Sequence, residues 1–221
     1  MPSNTLDTNA LQQTDLQKKT LKHKVLVPIA PGTEEMEAVT IIDMMVRAGY
    51  QVTVASADFA GNLTMQASRG VSLTADCRLV DIADEEFDVI AVPGGVEGSE
   101  VFKQSTVLIE MIKQQKYDGR WMAAICAAPA LVLQTHQIYP EAIMTGHPAF
   151  KDQIPAKNWR EKRVTIDINN KLITSQGPGS ALEFAMEIII QISGKAHAWT
   201  VAEPMVTLPT LHYSILGKND V

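Results

Sequence analysis

Apolar residues fall in short continuous blocks along this chain, separated by stretches of a longer period. "KVLVPIA" (24–30), "QVTVASA" (51–57), "EFDVIAVPGG" (86–95) and "RWMAAI" (120–125) are rich in apolar and β-branched residues and bounded by turn residues. Blocks this short predict strands buried on both faces. Between the first two lies "PGTEEMEAVTIIDMMVRAGY" (31–50), which opens on Pro-Gly, carries acids early and closes on Arg-Ala-Gly. That order suits a helix dipole and a glycine C-cap. A second helix is predicted from about Ser99 to Lys116, a third after Cys126, and a long one over "GSALEFAMEIIIQISG" (179–194). "NLTMQ" and "VSLTAD" flank "ASRG" as one hairpin, and "RVTIDI" and "KLITSQGPG" flank "NNK" as another.

Strands alternating with helices predict an α/β fold with a mainly parallel sheet covered on both faces. No internal repeat or linker interrupts it. The first 23 residues are polar, lack the apolar run of a secretory signal and read as a flexible tail. The chain therefore divides into a tail, 1–23, and a single α/β domain, 24–221, whose last stretch "VTLPTLHYSILGKNDV" shows no clear period.

Composition narrows the function classes. The 221 residues suffice for a substantial core, with 46% hydrophobic and 20% charged residues. A net charge of −6 without any basic run argues against specific nucleic-acid binding and against attraction to an anionic membrane. Nothing approaches the roughly 20 apolar residues of a membrane span. The two cysteines, Cys77 and Cys126, make no disulfide scaffold, so a reducing, cytoplasmic setting is expected. The five histidines show no zinc-ligand spacing with them, and no phosphate-binding glycine motif is present; no metal and no cofactor are expected.

In an open α/β sheet, ligands bind beyond the carboxyl ends of the strands. Three strand-to-helix junctions should meet there: "APGTEEME", "VPGGVEGS" and "AICAAPA". Cys126 occupies the third. A strand that runs straight into a helix turns sharply and projects its residue above the sheet edge, as a nucleophile elbow does. Ala124, Ala127 and Ala128 keep the turn small, and Pro129 suits a first helical turn. A helix N-terminus there would lower the thiol pKa from about 8.5. The other reading of Cys126 is a small buried hydrophobe.

Glu37 lies in the first turn of the helix after strand one. From there a protonated carboxyl can donate to a thiolate; equally, Glu34, Glu35 and Glu37 can together satisfy the helix N-terminus. Gly94 and Gly95 can turn backbone N–H groups toward a ligand oxygen, or simply make a turn. His147 precedes a proline and so lies on extended chain, either as a base for the cysteine or as a loop residue. Cys77 has no elbow around it and reads as structural.

"LVPIAPGTEEMEAV", "VPGG", "AAICAAPA", "TGHPAFKD" and "LITSQGPG" together resemble the ThiJ/PfpI superfamily. The likeness is to its YajL branch, the bacterial relatives of the human Parkinson-disease-associated deglycase, and runs from about Lys24 to the C-terminus. It implies a flavodoxin-like three-layer sandwich, a homodimer and a reactive cysteine on a strained elbow. Matched by motif, Cys126 is that cysteine and Glu37 the protonated glutamate against it. Gly94, with the backbone N–H groups of Gly95 and Ala127, falls in the oxyanion pocket. His147 matches a histidine near the cysteine, Gly177 and Pro178 a neighbouring loop, and Arg47 and Arg69 the arginines of an anion-accepting mouth at the dimer interface.

Peptidase and heat-shock chaperone branches of the superfamily place a histidine directly after the nucleophile. Ala127 stands there in this chain, so that triad is absent. The resemblance implies a cofactor-independent, cysteine-dependent deglycase or glyoxalase. Its expected partners are small α-oxoaldehydes (methylglyoxal or glyoxal) or glycated proteins carrying them on Cys, Lys and Arg, with lactate or glycolate released. The alternative from another class is a redox-sensing holdase chaperone acting under oxidative stress.

Overall fold

The computed structural model describes residues 23–207. Of the polar tail expected over 1–23 only His23 is among them, and most of the aperiodic C-terminal stretch likewise lies outside the described residues. The elements are β1 (Lys24–Ile29), α1 (Glu35–Arg47), β2 (Gln51–Ser56), β3 (Thr64–Gln66), β4 (Ser72–Thr74), β5 (Cys77–Arg78) and β6 (Val89–Val92). Then follow α2 (Val96–Gln104), α3 (Thr106–Tyr117), β7 (Trp121–Ile125), β8 (Val164–Asp167), β9 (Leu172–Ser175) and α4 (Ala181–Ala202).

Seven strands form one sheet in the order β5-β2-β1-β6-β7-β9-β8. All neighbours are parallel except β8 and β9, the hairpin expected across "NNK". β3 and β4 pair antiparallel as a separate ribbon, the other expected hairpin. The continuous apolar runs are explained by the period of two along a strand. Val25, Val27, Val89, Ala91, Ala123 and Ile125 pack on one face against Ile41 and Met45 of α1 and Phe184 and Ile188 of α4. Leu26, Ile90, Val92, Met122 and Ala124 pack on the other against Phe102 of α2 and Leu108 and Ile112 of α3. This is the flavodoxin-like three-layer sandwich expected.

The chain winds outward from β1 to β2 and β5, then returns to β6 on the other side of β1. Where the strand order reverses, the segments leaving β1 and β6 part, and a crevice opens above the strand ends. β7 ends beside it. Among the described residues, no helix is long and apolar enough to cross a membrane.

Three helical expectations are corrected. The single helix expected over Ser99–Lys116 is two, because Ser105 leaves the helix (ψ 97°) and its hydroxyl accepts the Leu108 N–H at 3.3 Å. The helix expected after Cys126 is only a short one of π geometry, Pro129–Gln134, and Gln137 just beyond it has a left-handed φ of 51°. The helix expected to end at Gly194 breaks there (φ 82°) and then resumes to Ala202. Ser105 starts a helix whose apolar face is buried, so losing its cap should be felt by the whole domain. Ser105→Ala is expected to destabilise by about 1 kcal/mol, read as a lower urea midpoint at unchanged slope.

Candidate active site

Three acids open α1, and the fold gives each a different task. Glu34 is the cap: its Oε2 accepts the Glu37 N–H at 2.7 Å, while its own N–H donates to the Gly94 carbonyl at 3.0 Å. Glu35 turns outward and fastens the β3–β4 ribbon, accepting from the Ser68 hydroxyl at 2.7 Å and the Arg69 N–H at 2.8 Å. Glu37 turns inward, fully buried, and its Oε2 accepts the Gly94 N–H at 2.7 Å.

Their protonation follows from these surroundings. Burial raises the Glu34 carboxyl. Burial also works on Glu35, but the bonds from Ser68 and backbone N–H groups outweigh it and hold that carboxylate below its ordinary range. Glu37 is pushed up to about 8, chiefly by burial and secondarily by Glu34, against the pull of the Gly94 N–H. A carboxyl with such a pKa keeps its proton at neutral pH in most molecules.

Cys126 stands at the tip of β7 with φ 63°, a left-handed conformation that costs a non-glycine residue about 1 kcal/mol or more. Two bonds impose it. The Cys126 N–H donates to the Ser175 carbonyl at 3.0 Å, and its carbonyl accepts the His147 N–H at 2.7 Å. The elbow is closely packed on the Gly94 side, where a Cβ would lie 2.5 Å from the Cys126 Cβ and 2.8 Å from Glu37 Oε2. Glycine is required at 94 for that approach. Gly95 (φ 86°) and Ala127 aim their N–H groups at the Cys126 sulfur.

The expected lowering of the thiol pKa is overturned. Burial, then the Glu37 charge, push Cys126 up to about 12, and the two N–H groups only partly oppose them. The six-residue π helix that follows begins three residues later and offers little dipole. Glu37 Oε1 has no nitrogen or oxygen partner among the described residues; the carboxyl's remaining neighbour is the Cys126 thiol, to which it is coupled by charge and by side-chain contact. The resting pair thus holds two protons at neutral pH, and the first leaves near pH 8.

Above the sulfur lies a cavity of about 420 Å³, with Cys126, 8% exposed, opening into it. Gly95, Arg69 and His147 line it, as do Glu34, Glu97 and Phe150. His147 is on extended chain, as its proline implied, and its Nδ1 accepts the Ala149 N–H at 3.2 Å, which leaves Nε2 for other partners. Gly177 lies against the His147 ring and Pro178 lines the cavity. Arg47 does not join them. It pairs with Asp43 at 2.6 Å in the last turn of α1, ten residues and about 15 Å along the helix from Glu37. A larger hollow of about 600 Å³ against α3, lined by Glu86, Glu110 and Arg120 among others, has no cysteine or histidine in its lining.

Glu34, Glu97 and Phe150 are cavity residues absent from the sequence-based set. Phe150 lies within the quoted "TGHPAFKD", and Glu97 within the quoted "VPGGVEGS". Either could have been found by asking what flanks each junction.

The sequence pattern of the DJ-1/PfpI family matches residues 23–191. The chain belongs to the DJ-1/PfpI family. Protein DJ-1 homolog B of Arabidopsis thaliana is 41% identical over 90% of this chain, and Protein dj-1beta of Drosophila melanogaster 36% identical over 84% of this chain and 98% of its own. Glutathione-independent glyoxalase DJR-1.2 of Caenorhabditis elegans is 32% identical over 82% of this chain and 94% of its own. The chain spans about half the length of the two Arabidopsis relatives, 45% and 47%. Among solved structures, the VC2308 protein superposes with a TM-score of 0.82 at 46% identity, covering 86% of this chain and 95% of that one. Toxoplasma gondii DJ-1, oxidized, superposes with 0.80 at 42%, covering 84% and 98%. Placement in the YajL branch of the family rests on the motif strings alone.

The Glu37 proton has a consequence for stability. The folded protein keeps it up to about pH 8, whereas the unfolded chain releases it near 4.5. Between these values the unfolded state binds fewer protons, so this group's contribution is complete below 4.5 and lost as pH rises through 8. Relative to Glu37→Gln, which cannot titrate, the wild type is expected to lose up to about 5 kcal/mol across that window. Thermal melts of both proteins at matched pH check it; parallel profiles would mean an ordinary carboxyl.

Proposed function

We propose that this protein is a cofactor-independent glyoxalase and deglycase that converts methylglyoxal or glyoxal, free or carried on Cys, Lys and Arg side chains, to lactate or glycolate. The observation that carries this reading is the buried Glu37 against Cys126, with two N–H groups converging on the sulfur. The name of the C. elegans relative supports it.

In the first step Cys126 Sγ bonds to the aldehyde carbon and the thiol proton passes to the carbonyl oxygen, giving a hemithioacetal. With an adduct as substrate, the bond from that carbon to the carrier's sulfur or nitrogen breaks instead, and the carrier takes the proton. As the S–C bond forms, the sulfur has less need of the N–H groups of Gly95 and Ala127, which become donors to the neighbouring oxygen. Glu37, ionised in a minor fraction at neutral pH, takes the hydrogen on the first carbon as a proton and returns it to the adjacent carbonyl carbon, while the hydroxyl proton of the hemithioacetal passes from the first oxygen to the second, leaving a thioester beside a new hydroxyl. A base with pKa near the working pH suits this transfer. The first carbon is oxidised and the second reduced within the substrate, so no external oxidant enters. Water then cleaves the thioester, releasing lactate or glycolate and restoring the thiol.

The working unit is a homodimer in this reading, for which the exposed Met36, Val39 and Val46 on one face of α1 offer apolar surface. A cytoplasmic setting accords with the two free cysteines. His147 orders the rim through its ring and its N–H to the elbow, and Arg69 attracts anionic groups to it. A second reading, a redox-sensing holdase, draws on the same geometry: the Gly95 and Ala127 N–H groups and the Glu37 acid suit the oxygens of a Cys126 sulfinate. A related structure is named as oxidized.

The test follows methylglyoxal-adduct loss from a blocked cysteine, with lactate in parallel, for wild type, Cys126→Ser and buffer alone. Wild type is expected to exceed the spontaneous rate, and Cys126→Ser to lose activity by roughly 10³-fold or more. Adduct loss capped at the spontaneous rate with lactate still forming would leave a glyoxalase of free aldehyde only. No lactate from wild type would remove both enzyme activities and leave the redox reading.

A further inference from the structure

One fully buried hydroxyl, on β9, has no task in the chemistry above. Thr174 lies in the interior of the sheet, between β7 and β8. Leu172, two residues back on the same face, packs in the apolar core layer that includes Met144. Valine would fill the place of Thr174 there with no polar group to satisfy. The hydroxyl has a partner off the sheet: Thr174 Oγ1 accepts the N–H of Thr145, itself fully buried, at 2.8 Å. Two residues on, the His147 N–H donates to the Cys126 carbonyl at 2.7 Å. Gly146, between them, passes so near the elbow that a Cβ there would lie 3.2 Å from the same carbonyl oxygen. The residue after Thr174, Ser175, accepts the Cys126 N–H at 3.0 Å through its own carbonyl. Adjacent residues of β9 therefore hold the elbow at both ends, Ser175 directly and Thr174 through the segment 145–147.

Any residue at 175 would supply the first of these bonds, which is part of the backbone ladder. The second needs a side-chain acceptor at 174. We infer that Thr174 is a positioning residue for Cys126: its hydroxyl fixes the segment whose His147 N–H keeps the Cys126 carbonyl, and with it the sulfur, in register with Glu37. Removing the hydroxyl leaves the buried Thr145 N–H without its acceptor, a penalty the segment relieves by shifting. The bond from His147 then loosens, and the left-handed φ of 63° at Cys126 loses one of its two supports. A displacement of about 1 Å at the reacting atom can slow a reaction about a hundredfold. The inference deepens the proposed function and rests on its reading of Cys126 as the nucleophile.

The test compares Thr174→Val, which keeps the shape and loses the acceptor, with Thr174→Ser, which keeps the acceptor. In lactate release from methylglyoxal, Thr174→Val is expected to lower kcat about 10- to 100-fold with KM within about twofold. Thr174→Ser is expected to restore most of that loss. A second readout needs no turnover. Methyl methanethiosulfonate passes its methylthio group to the Cys126 thiolate and expels methanesulfinate, and peptide mass spectrometry follows the rate from neutral to alkaline pH. In a coupled pair the rate levels off once the first proton has left, near pH 8. Wild type and Thr174→Ser are expected to show that plateau, and Thr174→Val to rise through it without a bend. A folded Thr174→Val with wild-type kcat and plateau overturns the inference, as does a Thr174→Ser that fails like the valine. If Thr174→Val does not fold, amide exchange in the unaltered protein decides. The Thr145 and His147 N–H groups are expected to exchange slowly and together, and a fast Thr145 N–H overturns the inference. No lactate from wild type, with the plateau lost only in Thr174→Val, removes the enzyme reading alone. Equal lactate release and equal plateaus in wild type and Thr174→Val remove the role of Thr174 alone.

Discussion

A carboxyl with no solvent exposure, resting on one backbone N–H and a thiol, is the constraint around which this site is built. Burying a charged Glu37 there would cost several kcal/mol, so the group keeps its proton until about pH 8. The neighbouring features follow from that choice. Gly94 has to be glycine, because a side chain would occupy the gap between Glu37 and Cys126. Glu34 has to cap α1, because Glu37, turned inward, no longer serves the helix N-terminus.

The strain at Cys126 is held by the sheet rather than by the elbow itself. Its N–H continues the β7–β9 ladder to Ser175, and its carbonyl is taken by the chain at His147. Both partners lie far along the sequence, so the left-handed φ is imposed by tertiary structure. Cys126 is therefore placed by the fold itself, at the reversal of strand order where the crevice opens. Its resting form is a thiol, and in the proposed function activation comes from redistributing protons between Cys126 and Glu37 as a bond forms.

Most of the architecture was legible because it rests on local patterns. The apolar runs of β1, β6 and β7 are buried on both faces, and both hairpins fell at their turn residues. The helix breaks were less so: Ser105 and Gly194 sit inside sequences that otherwise continue helical periodicity. In the site, Cys126 and Glu37 were legible from junction and motif, whereas the division of labour among Glu34, Glu35 and Glu37 was not. Three nearby acids look alike until the ribbon and the Gly94 loop arrive from elsewhere in the chain. The direction of the Cys126 pKa was misjudged for the same reason, since helix dipole is a local signal and burial is not. Arg47, expected at a dimer interface, lies within the protomer at the far end of α1 from Glu37.

The account stands on the proton held between Glu37 and Cys126. The most direct measurement is the carbon-13 NMR titration of the Glu37 carboxyl in the intact protein, assigned by its loss in Glu37→Gln. A midpoint near 8, shifting when Cys126 is replaced by serine, is the result the structure predicts. A midpoint near 4.5, insensitive to Cys126, would contradict it.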